Sequence, residues 1–391
     1  MLADPFTAHP LGIVMEGNPL DPMEVEGVLN PATARGPDGE LYLFPRLVSR
    51  GNFSRIGIAR VLFDKQGDPT GVERLGVALE PRETYERNPY SGGGCEDPRI
   101  TFVAAWGCYV MTYTAFSEAG PRIAMAASHD LRRWDRLGLV TFEGRGTMDF
   151  SRADNKDALL FPQLVPDPRD GVMSMALIHR PLVRGHSRAA RRPPSDTAEP
   201  PSEPLADREA ARLHERLNHQ SIWISYADPS SSPRALHFHS HRRLMSPRSY
   251  WERVKVGGGA PPLLTDLGWL VIYHGVHGRE RPFGWLRYSA GVAILDAQAP
   301  ERVCFRTRHP ILVPPNSHEG IVFPTGVDCR TDIGCPRRLD VYYGIGDVRI
   351  GVASLLLPDE LPPADDEAQH QPSRDQQPAA EAASVLPVAT G

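Results

Sequence analysis

The sequence predicts an all-β protein, and more narrowly a five-bladed β-propeller. Three observations carry that expectation. Helical periodicity is scarce, whereas short alternating runs rich in Val, Ile, Tyr and Leu recur between Gly and Pro residues. The runs come in sets of three, and the set occurs five times along the chain. One such set cannot bury both faces of its own small sheet, so neighbouring sets must pack together.

Each set opens with a proline at or within a short apolar run: Asn30-Pro31, Asp97-Pro98, Phe161-Pro162, Pro261-Pro262 and Phe323-Pro324. A strand candidate follows, at Leu41–Val48, Cys108–Phe116, Val172–Arg180, Trp269–Val276 and Leu339–Gly346. A third run closes the set and ends at Ala59, Ala126, Ser225, Ala293 and Ala353. From proline to that last residue the separations are 28, 28, 63, 31 and 29 residues. Ser128-His129-Asp130 with Trp134 suits the turn and outer strand that finish a blade. An up-and-down barrel or a sandwich is the second expectation, but neither requires this triplet order.

The long third set contains an insertion with Arg188, Arg191 and Arg192, then Pro, Ser and Glu residues. Residues 185–218 read as a flexible insertion within the third blade, with one short helix at Leu205–Leu217. Residues 358–391, rich in Pro, Ala, Gln, Asp and Glu, read as a disordered tail. Residues 1–357 are then one propeller domain.

A formal charge of -5 over 391 residues argues against a nucleic-acid binder held by a basic surface. No apolar run is long enough to span a bilayer, and Met1–Pro10 has no charged-then-apolar leader pattern. Five cysteines without CxxC spacing suggest reduced thiols and a cytoplasmic setting. Cys329 and Cys335 have no nearby Cys or His to complete a metal site, so no metal is expected.

The chemistry centres on Cys95-Glu96-Asp97-Pro98-Arg99, behind Gly92, Gly93 and Gly94. Alone, the stretch reads either as an Asx-Pro turn or as a carboxylic acid set at the start of a buried strand. If the proline-bearing runs are innermost, Asn30, Glu96, Asp97, Arg99, Lys156 and Glu319 converge on one mouth. The second runs add Arg46, Tyr113, His179, Arg180, Tyr273, His274 and Asp347 near their ends. The set offers one well-placed acid and several cations, namely Arg46, Arg55, Lys156, His179 and Arg180. Inverting hydrolysis of a glycoside needs two carboxylates, one as acid and one to activate water. Phosphate as nucleophile needs no base, only a cationic cradle. The same cluster could equally bind a carboxylated sugar.

Several stretches resemble glycoside hydrolase family 130. They are Glu96-Asp97-Pro98-Arg99-Ile100-Thr101, Asn155-Lys156-Asp157 with Leu160-Phe161-Pro162, and His179-Arg180-Pro181. Gly257-Gly258-Gly259-Ala260-Pro261-Pro262, Gly268-Trp269-Leu270 with Tyr273-His274-Gly275-Val276, and Tyr342-Tyr343-Gly344 with Asp347 continue the likeness in the same order, from about Asn30 to Ser354. The family consists largely of β-mannoside phosphorylases on a five-bladed propeller, with some hydrolases. The resemblance implies that Asp97 is the general acid, protonating the glycosidic oxygen through a sugar hydroxyl. It implies phosphate contacts for Arg46, Arg55, Lys156, His179 and Arg180. It implies sugar contacts for Asn30, Glu96, Arg99, Tyr273, His274, Phe323 and Asp347. The chain departs from the family at Asp266-Leu267, at His318 before Glu319, and in the insertion.

The sequence-based reading is therefore an inverting phosphorylase of β-mannosides, of the β-1,4-mannooligosaccharide or mannosyl-glucose type, giving α-mannose 1-phosphate. Inorganic phosphate is the co-substrate, and no cofactor or metal is needed. The partners are an oligosaccharide and phosphate, with a homo-oligomer left open. A raised Asp97 pKa is expected, since an acid must hold its proton near neutral pH. The alternatives are a hydrolase using Glu319 or Asp347 as base, and a carbohydrate-binding propeller without catalysis.

Overall fold

The computed structural model describes residues 4–89, 92–144, 149–182, 220–230, 232–278, 285–316 and 320–362. The expected insertion, its helix, the tail beyond residue 362, and Glu319 with His318 lie outside the described residues. The fold is all-β, and the helical pieces described are single 3-10 turns.

Strand β1 (Thr7–Glu16) precedes the first antiparallel set, β2 (Gly27–Arg35), β3 (Leu41–Ser49), β4 (Phe53–Phe63) and β5 (Pro69–Leu79). The second set is β6 (Gly93–Val103), β7 (Cys108–Ser117), β8 (Gly120–Ser128) and β9 (Asp135–Leu139). A two-residue parallel contact, Phe53-Ser54 with Gly93-Gly94, joins these two sets into one hydrogen-bonded sheet. Short β10 (Thr141–Phe142) leads to the third set, β11 (Asp154–Leu160), β12 (Val165–Pro166), β13 (Met173–Leu182), β14 (Ile222–Ala227) and β15 (His237–Met245). The fourth holds β16 (Lys255–Gly258), β17 (Leu263–Thr265), β18 (Gly268–Gly278), β19 (Leu286–Leu295) and β20 (Val303–Arg306). The fifth holds β21 (Val322–Cys329), β22 (Arg338–Ile345) and β23 (Arg349–Leu356), and β1 pairs with β23 as its outer strand. The N-terminal strand thus completes the C-terminal sheet, a contact between segments far apart in sequence.

The apolar cores lie between successive sets, as expected of sheets that are apolar on both faces. Phe44, Ile56 and Tyr42 of the first set pack with Ile100, Met111 and Ala126 of the second. Val110, Ile123 and Met125 meet Leu160, Leu177 and Phe238 of the third. Ile178, Ile224 and Tyr226 meet Trp269, Val271 and Tyr273 of the fourth. Leu270, Ile272 and Val292 meet Val341 and Leu355 of the fifth. Tyr342, Ile350 and Val352 of the fifth pack with Val28, Leu43 and Ala59 of the first.

Two proline positions differ from the expectation. Phe161-Pro162 lies just past β11, and Pro261-Pro262 lies between β16 and β17. The first strand of the fourth set is instead Lys255–Gly258. Proline lacks the N–H that a central ladder requires, so it marks strand edges and bulges more readily than strand interiors. Ser128 and Asp130 do form the expected turn, Ser128 Oγ accepting from the Leu131 N–H at 2.8 Å and Asp130 accepting from the Arg132 N–H at 2.8 Å. Trp134 then packs edge-on against Phe44.

Gly94 is the tightest point of the link between the first two sets. Its φ is +119°, and a Cβ there would collide with the Ser54 carbonyl oxygen. Gly94→Ala is expected to cost on the order of 3 kcal/mol, read as a lower urea-unfolding midpoint. Gly71→Ala, where an added Cβ would meet nothing within 4 Å, serves as the control and is expected to leave the midpoint nearly unchanged.

Candidate active site

The site is built on irregularities that recur at the same point of the first strands. The ladder slips between Leu29 and Ala32 in β2, between Glu96 and Arg99 in β6, and between Lys156 and Leu159 in β11. Asn30, Asp97 and Asp157 sit in these slips with φ of 44°, 47° and 57°. Asn and Asp tolerate the left-handed region better than other side-chain-bearing residues, and a bulge re-aims the side chain it carries. Asp347 also has a positive φ, 58°, in the turn between β22 and β23.

Three of these four residues meet directly or through Arg46. Asn30 Nδ2 donates to Asp97 Oδ1 at 2.8 Å. Arg46 Nη1 donates to Asp97 Oδ1 at 3.3 Å, and its Nη2 donates to Glu96 Oε1 at 2.9 Å. Arg46 is itself held by Ser54 Oγ at 2.9 Å and Asn52 Oδ1 at 3.3 Å. Asp347 is solvent-accessible but interacts electrostatically with Arg46 and Asp97. Partial desolvation by the groups around it, with the Asp97 charge and against the pull of Arg46, pushes its carboxyl up to about 6.

Beneath this layer lies a second one. Arg99 is only 1% exposed. It donates from Nη1 to the Asp97 carbonyl at 2.8 Å, from Nη2 to the Gly258 carbonyl at 3.0 Å and from Nε to the Gly259 carbonyl at 3.0 Å. Its guanidinium lies 3.6 Å from Asp157 and 5.7 Å from the centre of the Phe323 ring. Asp157 Oδ2 accepts from Arg180 Nε at 2.7 Å, and Gln220 accepts from Arg180 Nη1. Burial opposes the charge on Asp157, but Arg180, Arg99 and Lys156 outweigh it and hold the carboxyl far below the usual range. His274 Nε2 is 3.7 Å from Asp157, and its ring lies over Phe323 at 4.3 Å. Burial pushes His274 down to about 3, so the imidazole is neutral and forms no ion pair there. Gly257 is required beside it, because a Cβ would strike Asp157 and His274.

Lys156 projects no hydrogen bond or ion pair onto the described residues, yet its charge acts on Glu96, Asp97 and Asp157. It stands opposite Arg180 across the β11–β13 pairing.

The expected rise of the Asp97 pKa is corrected by this geometry. Burial does favour the protonated form, but Arg46, Arg99, the Asn30 amide and Lys156 together hold Asp97 below its ordinary value. Glu96 goes the other way: burial raises it, and Arg46 and Lys156 only partly compensate.

The structure brings together Asn30, Arg46, Glu96, Asp97, Arg99, Lys156, Arg180, His274, Phe323 and Asp347. It does not bring Arg55, His179 or Tyr273 to them. Arg55 opposes Leu47 across the β3–β4 pairing, where Arg46 opposes Ile56, so alternation puts the two arginines on opposite faces. It donates to Glu80 at 2.9 Å and to Ser49. His179 is fully buried against Phe142 and Phe150, with Asn155 at 3.1 Å from Nδ1 and Ser225 at 2.7 Å from Nε2. Tyr273 stacks beside Trp251 in the core, its hydroxyl accepting from Arg306 Nε at 3.1 Å. Tyr113 donates to Glu86 at 2.6 Å in another core. Residues absent from the sequence-based set are Asp157, Ser54, Asn52 and Gln220. Only Asp157 carried a signal, being the third Asx residue at the opening of a first strand.

The five antiparallel sets and the acid facing guanidinium groups define an all-β protein with a polar, charge-balanced site where its first strands meet. The chain belongs to glycoside hydrolase family 130: the family model described as beta-1,4-mannooligosaccharide phosphorylase matches residues 12–181 and 212–360. A 1,2-beta-oligomannan phosphorylase of Thermoanaerobacter sp. (strain X514) is 28% identical over 334 residues, covering 82% of this chain and 88% of that protein. A beta-1,2-mannobiose phosphorylase of the same organism is 30% identical over 277 residues, 68% of each chain. The solved structure of a beta-1,2-mannobiose phosphorylase from Listeria innocua shares the fold with a TM-score of 0.60 and 22% identity, covering 89% of this chain and 96% of that one.

The buried His179 predicts a pH dependence of stability. Burial, with His241 nearby, holds it well below its ordinary value. Below about pH 6.5 the unfolded chain takes a proton that the folded chain refuses, so stability is lost as the pH falls. Urea unfolding between pH 7 and 5 is expected to show this decline, and His179→Gln to make it shallower by up to about 1.4 kcal/mol per pH unit.

Proposed function

We propose that this chain is an inverting β-mannoside phosphorylase built on a five-bladed propeller spanning residues 1–357. The observation that carries the reading is one acid, Asp97, facing Arg46 and Lys156, of which Lys156 has no polar partner among the described residues. The cores shared by successive sets, including the fifth with the first, support the propeller. Family membership and the two relatives support phosphorolysis of a β-mannoside. Those two relatives favour a β-1,2 linkage, whereas the family description favours β-1,4.

In this reading Asp97, once protonated, donates to the glycosidic oxygen. Phosphate held by Arg46 and Lys156, with Arg180 beside them, attacks the anomeric carbon from the opposite face. The product is α-mannose 1-phosphate and a shortened sugar. Asn30, Glu96, Arg99, His274, Phe323 and Asp347 shape the sugar subsite, Arg99, His274 and Phe323 from beneath. Arg55 and His179 enter as supports of the phosphate strands, and Tyr273 as a support of His274. Phosphate is the co-substrate, no cofactor or metal takes part, and five free cysteines fit a cytoplasmic enzyme. Among the described residues no helix is long and apolar enough to cross a membrane.

A hydrolase is the second reading, favoured by Asp347. Its carboxyl, raised to about 6 near Asp97, has the character of a general base.

Purified protein is expected to release α-mannose 1-phosphate from a β-mannoside only when phosphate is supplied, in a screen of linkages. Equal sugar release without phosphate would favour hydrolysis. Asp97→Asn is expected to lower kcat/KM by about 10²- to 10⁴-fold. Lys156→Met is expected to raise the KM for phosphate roughly 10- to 150-fold, by removing a charged hydrogen-bond donor.

A further inference from the structure

Arg46 stands between the two substrates of the proposed reaction. One edge of its guanidinium is spent on Ser54 and Asn52, which fix it to the hairpin joining β3 and β4. Its remaining contacts are to Asp97 through Nη1 and to Glu96 through Nη2. The two carboxylates therefore occupy the positions that a bound oxyanion needs on the same fork.

The charges around Asp97 can be counted element by element. Arg46 faces it from β3, Glu96 and Arg99 from β6, Lys156 from β11 and Asp347 from the β22–β23 turn, while Asp157 of β11 and Arg180 of β13 lie behind Arg99. Asn30 adds a neutral amide from β2, and His274 a neutral ring from β18. The four cations Arg46, Arg99, Lys156 and Arg180 match the four carboxylates Glu96, Asp97, Asp157 and Asp347 when all are ionised. A divalent oxyanion entering this mouth brings two negative charges in excess of that balance. Charge burial of that kind is relieved by protonating carboxylates. Glu96 and Asp347, whose carboxyls are already raised, share that response, and Asp97 joins it where the oxyanion takes Arg46, because its 3.3 Å contact is the longer of the two that Arg46 makes to carboxylates.

We propose that Arg46 couples the two substrates: a divalent oxyanion that takes its guanidinium draws it off Asp97, and Asp97 then picks up from solvent the proton it later gives to the glycosidic oxygen. Resting on the phosphorylase reading, this makes phosphate the switch that turns an ion-paired carboxylate into an acid. The protons balance. One enters from solvent onto Asp97 and passes to the leaving oxygen as the glycosidic bond breaks. The proton carried by hydrogen phosphate leaves to solvent once the sugar phosphate ester has formed. The depressed pKa of Asp97 in the free protein fits this order, since its largest favourable charge partner is Arg46.

The test uses sodium sulfate, a divalent oxyanion that does not titrate near neutral pH. Calorimetric titration of the full chain at pH 6, in two buffers of different ionisation enthalpy, reads protons taken up on binding. Net uptake is expected, with sulfate affinity rising as the pH falls by up to about tenfold per unit. Asp97→Asn is expected to bind sulfate with less proton uptake than the parent chain, and Glu96→Gln and Asp347→Asn each to keep the Asp97 share of it. Sulfate binding without proton uptake, or uptake unchanged in Asp97→Asn, overturns the coupling. A parallel assay with phosphate and a β-mannoside separates the two layers. Sugar phosphate formed without proton-linked sulfate binding overturns the coupling and leaves the phosphorylase reading standing. Proton-linked binding without sugar phosphate supports the coupling and counts against that reading. Failure of both to bind or react overturns both.

Discussion

Arg99 is the group on which the rest of the site depends. A buried guanidinium keeps its charge, because its pKa lies too high for burial to neutralise it. It must therefore be surrounded by acceptors, and the acceptors come from separate sets of strands: the Asp97 carbonyl from the second, Asp157 from the third, and the Gly258 and Gly259 carbonyls from the fourth. The Phe323 ring of the fifth covers its face. One side chain thus ties four sheets together at the point where their first strands approach. Removing it would leave three carbonyls without their donor and Asp157 with one of its two guanidinium partners gone, a heavier loss than the bonds alone.

The same region shows why backbone irregularity belongs at a reactive centre. A regular strand sends alternate side chains to its two faces, both covered here by neighbouring sheets. Only a bulge lets a side chain leave those faces and point along the mouth. Asn30, Asp97 and Asp157 all use it, each in a left-handed conformation costing about 1 kcal/mol or more. That cost is met by the fit around them, including Asn30 bonded to Asp97 and Asp157 enclosed by Arg180 and Arg99.

Charge in the mouth is arranged in two layers with different characters. The deeper layer, Arg99, Asp157 and Arg180, is closed to solvent and locked by opposite charges, so it serves as a scaffold. The upper layer, Arg46, Glu96, Asp97, Lys156 and Asp347, holds carboxyls shifted in opposite directions. Unequal shifts among adjacent carboxyls are what acid–base chemistry draws on. The phosphate and sugar contacts proposed for this layer would act on groups whose protonation their neighbours already shift.

Much of this was legible in the sequence. Alternating apolar runs between Gly and Pro determine the all-β character, because period-two patterning and turn residues are local properties. The five triplets are visible for the same reason, as are Asp97 and Lys156 in the proline-bearing runs and Arg46 and Arg180 near the ends of the second runs. The tertiary structure alone decided which of these side chains meet. Whether Arg55 or Arg46 reaches the acid depends on the face set by pairing register, which spacing along one strand does not reveal. His179 and Arg180 are neighbours in sequence, yet one is sealed between Phe142 and Phe150 while the other holds Asp157. The direction of the Asp97 shift lies beyond the sequence for a related reason. Burial and residue type are suggested by the sequence, but the sign of the shift is decided by how closely Arg46, Arg99 and Asn30 approach across chain separations of up to 67 residues.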